Sequence, residues 1–121
     1  MGTRAINWTS DIQDVDNINI SFQYIEKNYQ KKIELSNVAR ELAFSETYTC
    51  RFIKQITTKS LTQLVNEFRI AKACELLVNT DLSVSEVYSA AGFNNLSNFN
   101  RQFKAVTKNS PRDYRKGFRS R

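Results

Sequence analysis

The chain contains no histidine and only two cysteines, three glycines and one proline among its 121 residues. The absence of histidine excludes nucleophiles activated by imidazole and zinc sites that use histidine ligands. Cys50 and Cys74 are too few for a four-thiolate zinc site, and no pattern predicts a cofactor. So few glycines and prolines also argue against a turn-rich β-sandwich or barrel. The composition therefore favours a helical binding protein over an enzyme.

Long apolar runs are also missing from the sequence. No run is long enough to span a membrane, and residues 1–7 contain no apolar core of a signal peptide. Both cysteines fall in helical patterns, and we interpret them as reduced thiols. We therefore expect a cytoplasmic protein with no membrane partner.

The charge is distributed unevenly along the chain, which has a formal net charge of +6. Residues 1–60 carry eight Lys or Arg against seven Asp or Glu, whereas residues 61–121 carry ten against five. A basic second half predicts a polyanionic partner, first a nucleic acid and second an anionic membrane surface. A solvated basic tail is the alternative interpretation of the same pattern.

Hydrophobic periodicity predicts an all-α fold of about seven helices. Residues 1–15 show no helical period and are interpreted as a flexible N-terminal arm, after which Asp16 caps the first helix. Residues 16–60 and 80–121 are predicted to form two helix-turn-helix subdomains, joined by a long linker helix over 61–79. Residues typical of N-caps precede the later helices: Ser45, Ser83, Asn94 or Asn95, and Ser110.

Apolar residues at helical spacing predict which side chains form the core. Tyr48 and Val106 are predicted to face inward. So are eight aromatic residues, which are not interpreted as stacking platforms for single strands: Phe22, Tyr29, Phe44, Phe52, Phe68, Phe93, Phe99 and Phe103.

The chain also repeats itself. Apolar and small residues of 35–44 match those of 84–93 at an offset of 49. After one inserted residue, two basic residues of each half match at an offset of 50, Arg51 and Lys54 with Arg101 and Lys104. A short helix, a turn with a small residue and a basic second helix are typical of a helix-turn-helix, whose second helix enters the major groove. Two copies in register predict a protein with two reading helices.

The length of the linker helix agrees with this interpretation. About 18 residues span roughly 27 Å at about 1.5 Å per residue. Successive major-groove faces on one side of B-DNA lie about 34 Å apart. A single chain could therefore hold a reading helix in each of two successive grooves, and we expect a monomer on DNA.

Several motifs resemble one known family. The linker segment 68–77 reads FRIAKACELL, and the second half contains AGF at 91–93, FNRQFK at 99–104 and SPRDYR at 110–115. These stretches are similar to the linker-helix signature and the second helix-turn-helix of the AraC/XylS family of bacterial transcription regulators. The resemblance covers 18–117. It implies a regulator, most often an activator, that binds asymmetric sites in double-stranded DNA, contacts RNA polymerase and works at the bacterial nucleoid.

The sequence departs from the family pattern at four positions. Tyr88 and Thr49 replace a small and a large apolar residue, and Thr58 and Asn109 stand where glycine is common. These changes affect the expected docking geometry more than the expected fold.

The resemblance and the helical spacing together predict the residues that contact DNA. The predicted base-reading residues are Thr47, Cys50, Arg51, Leu96, Ser97, Asn100 and Arg101. The predicted phosphate contacts are Lys54, Asn95, Lys104, Lys108, Ser110, Arg112 and Arg115. Arg69, inside the linker helix, is instead expected to be structural and to pair with an acidic residue.

Two further questions remain open at this level. The alternative function is a helical adaptor that contacts RNA polymerase or another protein without sequence-specific DNA binding. The chain is interpreted either as a free-standing regulator or as the C-terminal domain of a longer one, with no small-molecule ligand bound by this chain itself.

Overall fold

The computed structural model describes the backbone of residues 8–119 and the side chains of residues 11–119. Within that range the chain is all-helical, as predicted, with seven helices. Their bounds are α1 Trp8–Asn28, α2 Leu35–Leu42, α3 Glu46–Thr57, α4 Leu61–Asn79, α5 Val84–Ala90, α6 Leu96–Thr107 and α7 Pro111–Arg119.

The first helix is longer than the sequence predicts. It begins at Trp8, so the predicted start at Asp16 is wrong and residues 8–15 are not an arm. The rest of the predicted arm, residues 1–7, lies outside the described residues. Apolar periodicity fails here because the half-buried positions near the start of α1 are polar, for example Asp14 and Asn17, whereas Ile12 and Val15 are exposed.

The chain divides into two compact units. The first comprises residues up to Lys27 and Ile33–Leu61, and the second comprises Asn28–Lys32 and the chain from Thr62 onward. The predicted linker helix is observed as α4, and all of it beyond Leu61 belongs to the second unit.

The first unit packs α2 and α3 as a helix-turn-helix. Its buried apolar side chains are Ile25, Val38, Ala39, Leu42, Phe52 and Ile53. The turn between the helices places Ala43 in the left-handed region at φ 58°. The Phe44 amide donates to the Ala39 carbonyl at 3.0 Å, which closes α2 and reverses the chain.

The second unit has one continuous apolar core. Its buried members come from α4, the helix-turn-helix α5–α6 and the turn between them: Ile70, Ala73, Leu77, Val87, Ala91, Phe93, Phe99 and Phe103. Gly92 occupies the turn at φ 98°, and an added Cβ there would lie 2.2 Å from the Tyr29 carbonyl oxygen. Only glycine therefore fits this turn without a shift of backbone.

Three predicted core residues are exposed. Phe22 is 44% exposed, Tyr48 50% and Val106 46%, so their assignment to the core is wrong. On α1 and α3 the smaller residues Ser21 and Thr49 are buried instead. Both donate a side-chain hydroxyl to the carbonyl four residues earlier, which satisfies the buried oxygen within the helix. Of the other predicted aromatics, four are buried and three are half-buried: Phe52, Phe93, Phe99 and Phe103, then Tyr29, Phe44 and Phe68.

Candidate nucleic-acid interface

Helix α3 presents one polar stripe to solvent. Ser45 caps the helix by accepting the Tyr48 amide at 3.1 Å, and Phe52 and Ile53 anchor the opposite face in the core. The residues predicted to contact DNA are all exposed on the other face: Thr47, Cys50 and Arg51 for bases and Lys54 for phosphate. They line an open concavity of about 840 Å³, together with Leu35, Glu46 and Gln55, which the prediction did not include.

Helix α6 presents the matching stripe in the second unit. Asn95, rather than Asn94, is its N-cap and accepts the Asn98 amide at 2.8 Å. Phe99 and Phe103 are fully buried on one side. The residues predicted to contact DNA are exposed on the other side: Leu96, Ser97, Asn100 and Arg101 for bases and Lys104 for phosphate.

Asn98 of α6 contacts a predicted reading residue, although it was not itself predicted from the sequence. The Arg101 guanidinium donates to the Asn98 side-chain oxygen at 2.9 Å, which restricts the rotamers of the arginine. The spacing of three residues along a helix is the signal that could have identified this pair.

Helices α3 and α6 end in the same way. Thr57 and Thr107 each donate a hydroxyl to the carbonyl four residues earlier and accept the amide two residues later. The next residues, Thr58 and Lys108, are left-handed at φ 63° and 65°. The left-handed position of the second half is therefore Lys108 and not Asn109, where a glycine equivalent was expected.

Helix α7 follows α6 and starts at the predicted cap. The Ser110 hydroxyl accepts the Asp113 amide at 3.1 Å, and Arg112 and Lys108 are exposed. Arg115 is different because it is half-buried and its guanidinium donates to the Leu77 carbonyl at 2.9 Å and the Thr80 carbonyl at 3.3 Å. The Arg115 guanidinium is thus engaged by carbonyls at the end of α4, which favours a structural role over the predicted phosphate contact.

Arg69 forms hydrogen bonds with the segment that follows α1. Its guanidinium donates to the Tyr29 and Lys31 carbonyls, each at 2.8 Å, so it pairs with backbone oxygens and not with the predicted acid. Partial burial lowers the pKa of Arg69 from its ordinary value, but a guanidinium stays charged at neutral pH. The Gln30 side chain donates to the Ala90 carbonyl at 2.9 Å, so the segment Asn28–Lys32 is tied to the second unit at several points.

The two cysteines differ in environment. Cys50 is exposed on the α3 stripe, whereas Cys74 is half-buried on α4. Burial raises the pKa of the Cys74 thiol, and a hydrogen bond with Tyr114 opposes that change more weakly. Cys74 is therefore a neutral thiol at physiological pH and contributes to packing.

Comparison with known proteins identifies the family. Residues 38–117 match a family model described as a helix-turn-helix domain. The C-terminal domain of AraT, a response regulator from Geobacillus stearothermophilus, is 32% identical and superposes with a TM-score of 0.76 over 84% of each chain. The chain belongs to the AraC family of helix-turn-helix transcription regulators.

Other AraC-type proteins are similar over different lengths. An uncharacterised regulator, YdeC of Bacillus subtilis, is 31% identical over 93 residues, which are 77% of this chain and 32% of YdeC. A regulator from Pseudoalteromonas carrageenovora is 33% identical, and the match covers 57% of its length. The chain thus spans a third to just over half of these relatives.

The fold is also shared with a DNA-bound structure. The DNA-binding domain of AdpA, solved with a target DNA, superposes with a TM-score of 0.77 over 86% of this chain at 22% identity. At that identity the likeness shows the AraC-type fold alone. Among the described residues, no helix is long and apolar enough to cross a membrane.

Proposed function

We propose that this chain binds an asymmetric site in double-stranded DNA as a monomer and activates transcription. In this proposal α3 and α6 enter successive major grooves, and α4 connects the two helix-turn-helix subdomains. The protein then contacts RNA polymerase at the bacterial nucleoid in the cytoplasm. The observation that carries the proposal is the pair of exposed polar stripes on α3 and α6, backed by the buried side chains of Phe52 and Ile53 on α3 and of Phe99 and Phe103 on α6.

The stripes share their basic residues and differ in the rest. Arg51 and Lys54 have counterparts in Arg101 and Lys104 at the same turns of the helix. An arginine at such a position can bind guanine O6 and N7 with two hydrogen bonds. Thr47 and Cys50, by contrast, are replaced by Ser97 and Asn100. Because the two reading surfaces are chemically different, we expect the two halves of the site to differ in sequence.

A monomer is sufficient because one chain carries both reading helices. Helix α4, with 19 residues, is about 28 Å long at about 1.5 Å per residue. That length is comparable with the roughly 34 Å repeat of major-groove faces.

Phosphate contacts complete the proposed interface. Lys54, Lys104, Lys108 and Arg112 are exposed cations on or beside the reading helices, and each would displace counterions from DNA. Asn95 and Ser110 begin α6 and α7, where the helix dipole and the first amide groups favour a phosphate.

Selection of binding sites tests this proposal. The wild-type chain and three variants, Arg51→Ala, Arg101→Ala and Arg40→Ala, are used to select from a randomised duplex of about 30 base pairs. We expect one asymmetric site with two elements about one helical turn apart. Arg51→Ala should blur one element and Arg101→Ala the other, each with an affinity loss of about 1–3 kcal/mol. Arg40→Ala, an exposed arginine of α2, is the control and should blur neither.

A salt series separates phosphate contacts from structural arginines. Arg112→Met should reduce the slope of log affinity against log salt by about one, whereas Arg115→Met should leave that slope unchanged. Binding with a steep salt slope but no enriched sequence would contradict base reading. No duplex binding at all would favour the adaptor function instead.

A further inference from the structure

Helix α1 is an acidic helix in a basic protein. Residues 8–26 carry Asp11, Asp14, Asp16 and Glu26 but no Lys or Arg, although the whole chain has a net charge of +6. The remainder of the chain therefore carries all eighteen cations. A helix with this charge is repelled by the phosphate backbone of DNA, so its exposed face is available for another partner.

The same helix exposes an apolar stripe. Ile12, Val15 and Phe22 are 54%, 56% and 44% exposed. At about 100° per residue these three side chains and Asn19 fall within an arc of about 80°. The buried residues Ser21 and Ile25 lie outside this arc, about 100° and 60° from Phe22 around the helix. Helix α1 thus keeps these three large apolar side chains exposed beside the face that it buries.

Acidic residues border the stripe. Asp16 is exposed along one edge, and Glu26 is exposed in line with its C-terminal end. Asp11 lies at the other edge, beside Val15 and Phe22 in the helical projection. An apolar stripe with an acidic rim is complementary to an apolar groove whose rim carries Lys or Arg.

A second copy of α1 does not fit this description. Helix α1 carries four acidic residues against one cation, Lys27, so pairing of two copies through the stripe would bring mainly like charges together at the rim. The observations therefore favour a different protein as the occupant.

We propose that the stripe of Ile12, Val15, Asn19 and Phe22 is a docking surface for a protein of the transcription machinery that presents an apolar groove bordered by Lys or Arg. The inference rests on the proposed function as an activator, for which such a contact recruits the polymerase to the bound site. Two properties separate the stripe from the proposed DNA interface: the residues that border it are acidic, and it lies on a helix that carries no predicted reading residue.

The test uses purified bacterial RNA polymerase holoenzyme as the probe and the full chain in three forms. Val15→Gln/Phe22→Gln replaces two exposed stripe residues with a good helix former. Ile20→Gln is the matched control, because Ile20 is also exposed on α1, at 37%, but lies outside the stripe. Circular dichroism and affinity for the selected DNA site should be within twofold of wild type for both variants.

Direct binding to the holoenzyme and transcription from a template with the selected site are then measured. We expect the double variant to lose at least tenfold in holoenzyme affinity and at least fivefold in activated transcription, whereas Ile20→Gln remains within twofold. Asp16→Lys/Glu26→Lys should also weaken holoenzyme binding, and more strongly at low salt than at high salt.

The possible results separate this inference from the proposed function. If wild type does not activate but binds the holoenzyme through the stripe, the activator role fails and the docking surface stands. If wild type binds DNA and activates while the double variant does both equally well, the docking surface is wrong. Absence of holoenzyme binding, or a wild-type dimer in sedimentation that becomes a monomer in the double variant, also overturns it.

Discussion

The two helix-turn-helix units have the same pattern of backbone hydrogen bonds and caps, but they bury different side chains. In both, a left-handed residue ends the first helix or follows it, a side-chain cap begins the second helix, and a threonine closes that helix with the same pair of hydrogen bonds. The residues inside differ, because Thr49 of the first unit corresponds to Phe99 of the second. Local hydrogen bonds therefore set the motif, while packing determines which side chains it carries.

The correspondence extends beyond the two motifs. Arg69 donates to carbonyls of the segment that follows α1, and Arg119, fifty residues later, donates to the Thr80 carbonyl and to Asp81 in the segment that follows α4. Helix α4 thus closes the first repeat and opens the second. The two contacts differ in burial, since Arg69 is half-buried and Arg119 is exposed.

The largest expected difference between the repeats is in the stability lost when the corresponding buried residues Phe99 and Thr49 are replaced by alanine. Phe99 is fully buried, with ring centroids 5.2 Å from Phe93 and 5.6 Å from Phe103. Phe99→Ala should lower the free energy of unfolding by about 3–5 kcal/mol. Thr49→Ala removes one hydrogen bond and a methyl group, and should cost about 1–2 kcal/mol. Urea unfolding followed by circular dichroism measures both, and equal losses would contradict the difference in packing.

Exchanging the small residue of each turn, Gly92 for alanine and Ala43 for glycine, should change the stability of the protein in opposite directions. Gly92→Ala places a Cβ against the Tyr29 carbonyl at positive φ, so it should destabilise the protein by about 2–4 kcal/mol. Ala43→Gly relieves a left-handed alanine, and should change stability by less than about 1 kcal/mol, toward greater stability. The same unfolding experiment measures the pair. A Gly92→Ala variant as stable as wild type would show that the α1 end does not constrain this turn.

Replacing Arg69 should lower the free energy of unfolding more than replacing its counterpart Arg119. Arg69→Met leaves the Tyr29 and Lys31 carbonyls without a charged donor, and should cost about 1–3 kcal/mol of unfolding free energy. Arg119→Met loses an exposed ion pair with Asp81, and should cost less than about 1 kcal/mol. High salt should reduce the second effect more than the first. A larger loss for Arg119→Met would reverse this assignment.

The smallest expected difference is between the N-terminal caps of α5 and α2, and it depends on pH. The third residue of α5 is Glu86, whose carboxylate accepts the Ser83 amide at 3.1 Å, whereas the third residue of α2 is Asn37. The Ser83 hydrogen bonds lower the pKa of Glu86 from its ordinary value of 4.5. The stabilisation is therefore complete above that value and is lost as pH falls through the lowered pKa. The protection factors of the amides at the start of α5, corrected for the intrinsic pH dependence of exchange, should fall in acid, and Glu86→Gln should remove this change.

Sequence patterns predicted the exposure of the α3 and α6 stripes better than the composition of the core. The stripes of α3 and α6 were predictable because reading residues recur at helical spacing opposite aromatic residues, and the caps Ser45 and Ser110 are local signals. The failures at Phe22 and Val106 arose because periodicity reveals that a helix has an apolar face but not which of two faces is covered. The partners of Arg69 and Arg115 are backbone carbonyls, which have no signature in the sequence.

The amino-acid sequence by itself determines the family, the helical class, the internal repeat and the chemistry of the α3 and α6 stripes, because each is encoded in the residue types of short segments of the chain. Only the tertiary structure decides which arginines are available to DNA, why Gly92 cannot be replaced, and that α1 has an uncovered apolar face. Those properties depend on contacts between residues some forty to sixty positions apart, or on the absence of a neighbour. Neither leaves a local pattern in the sequence.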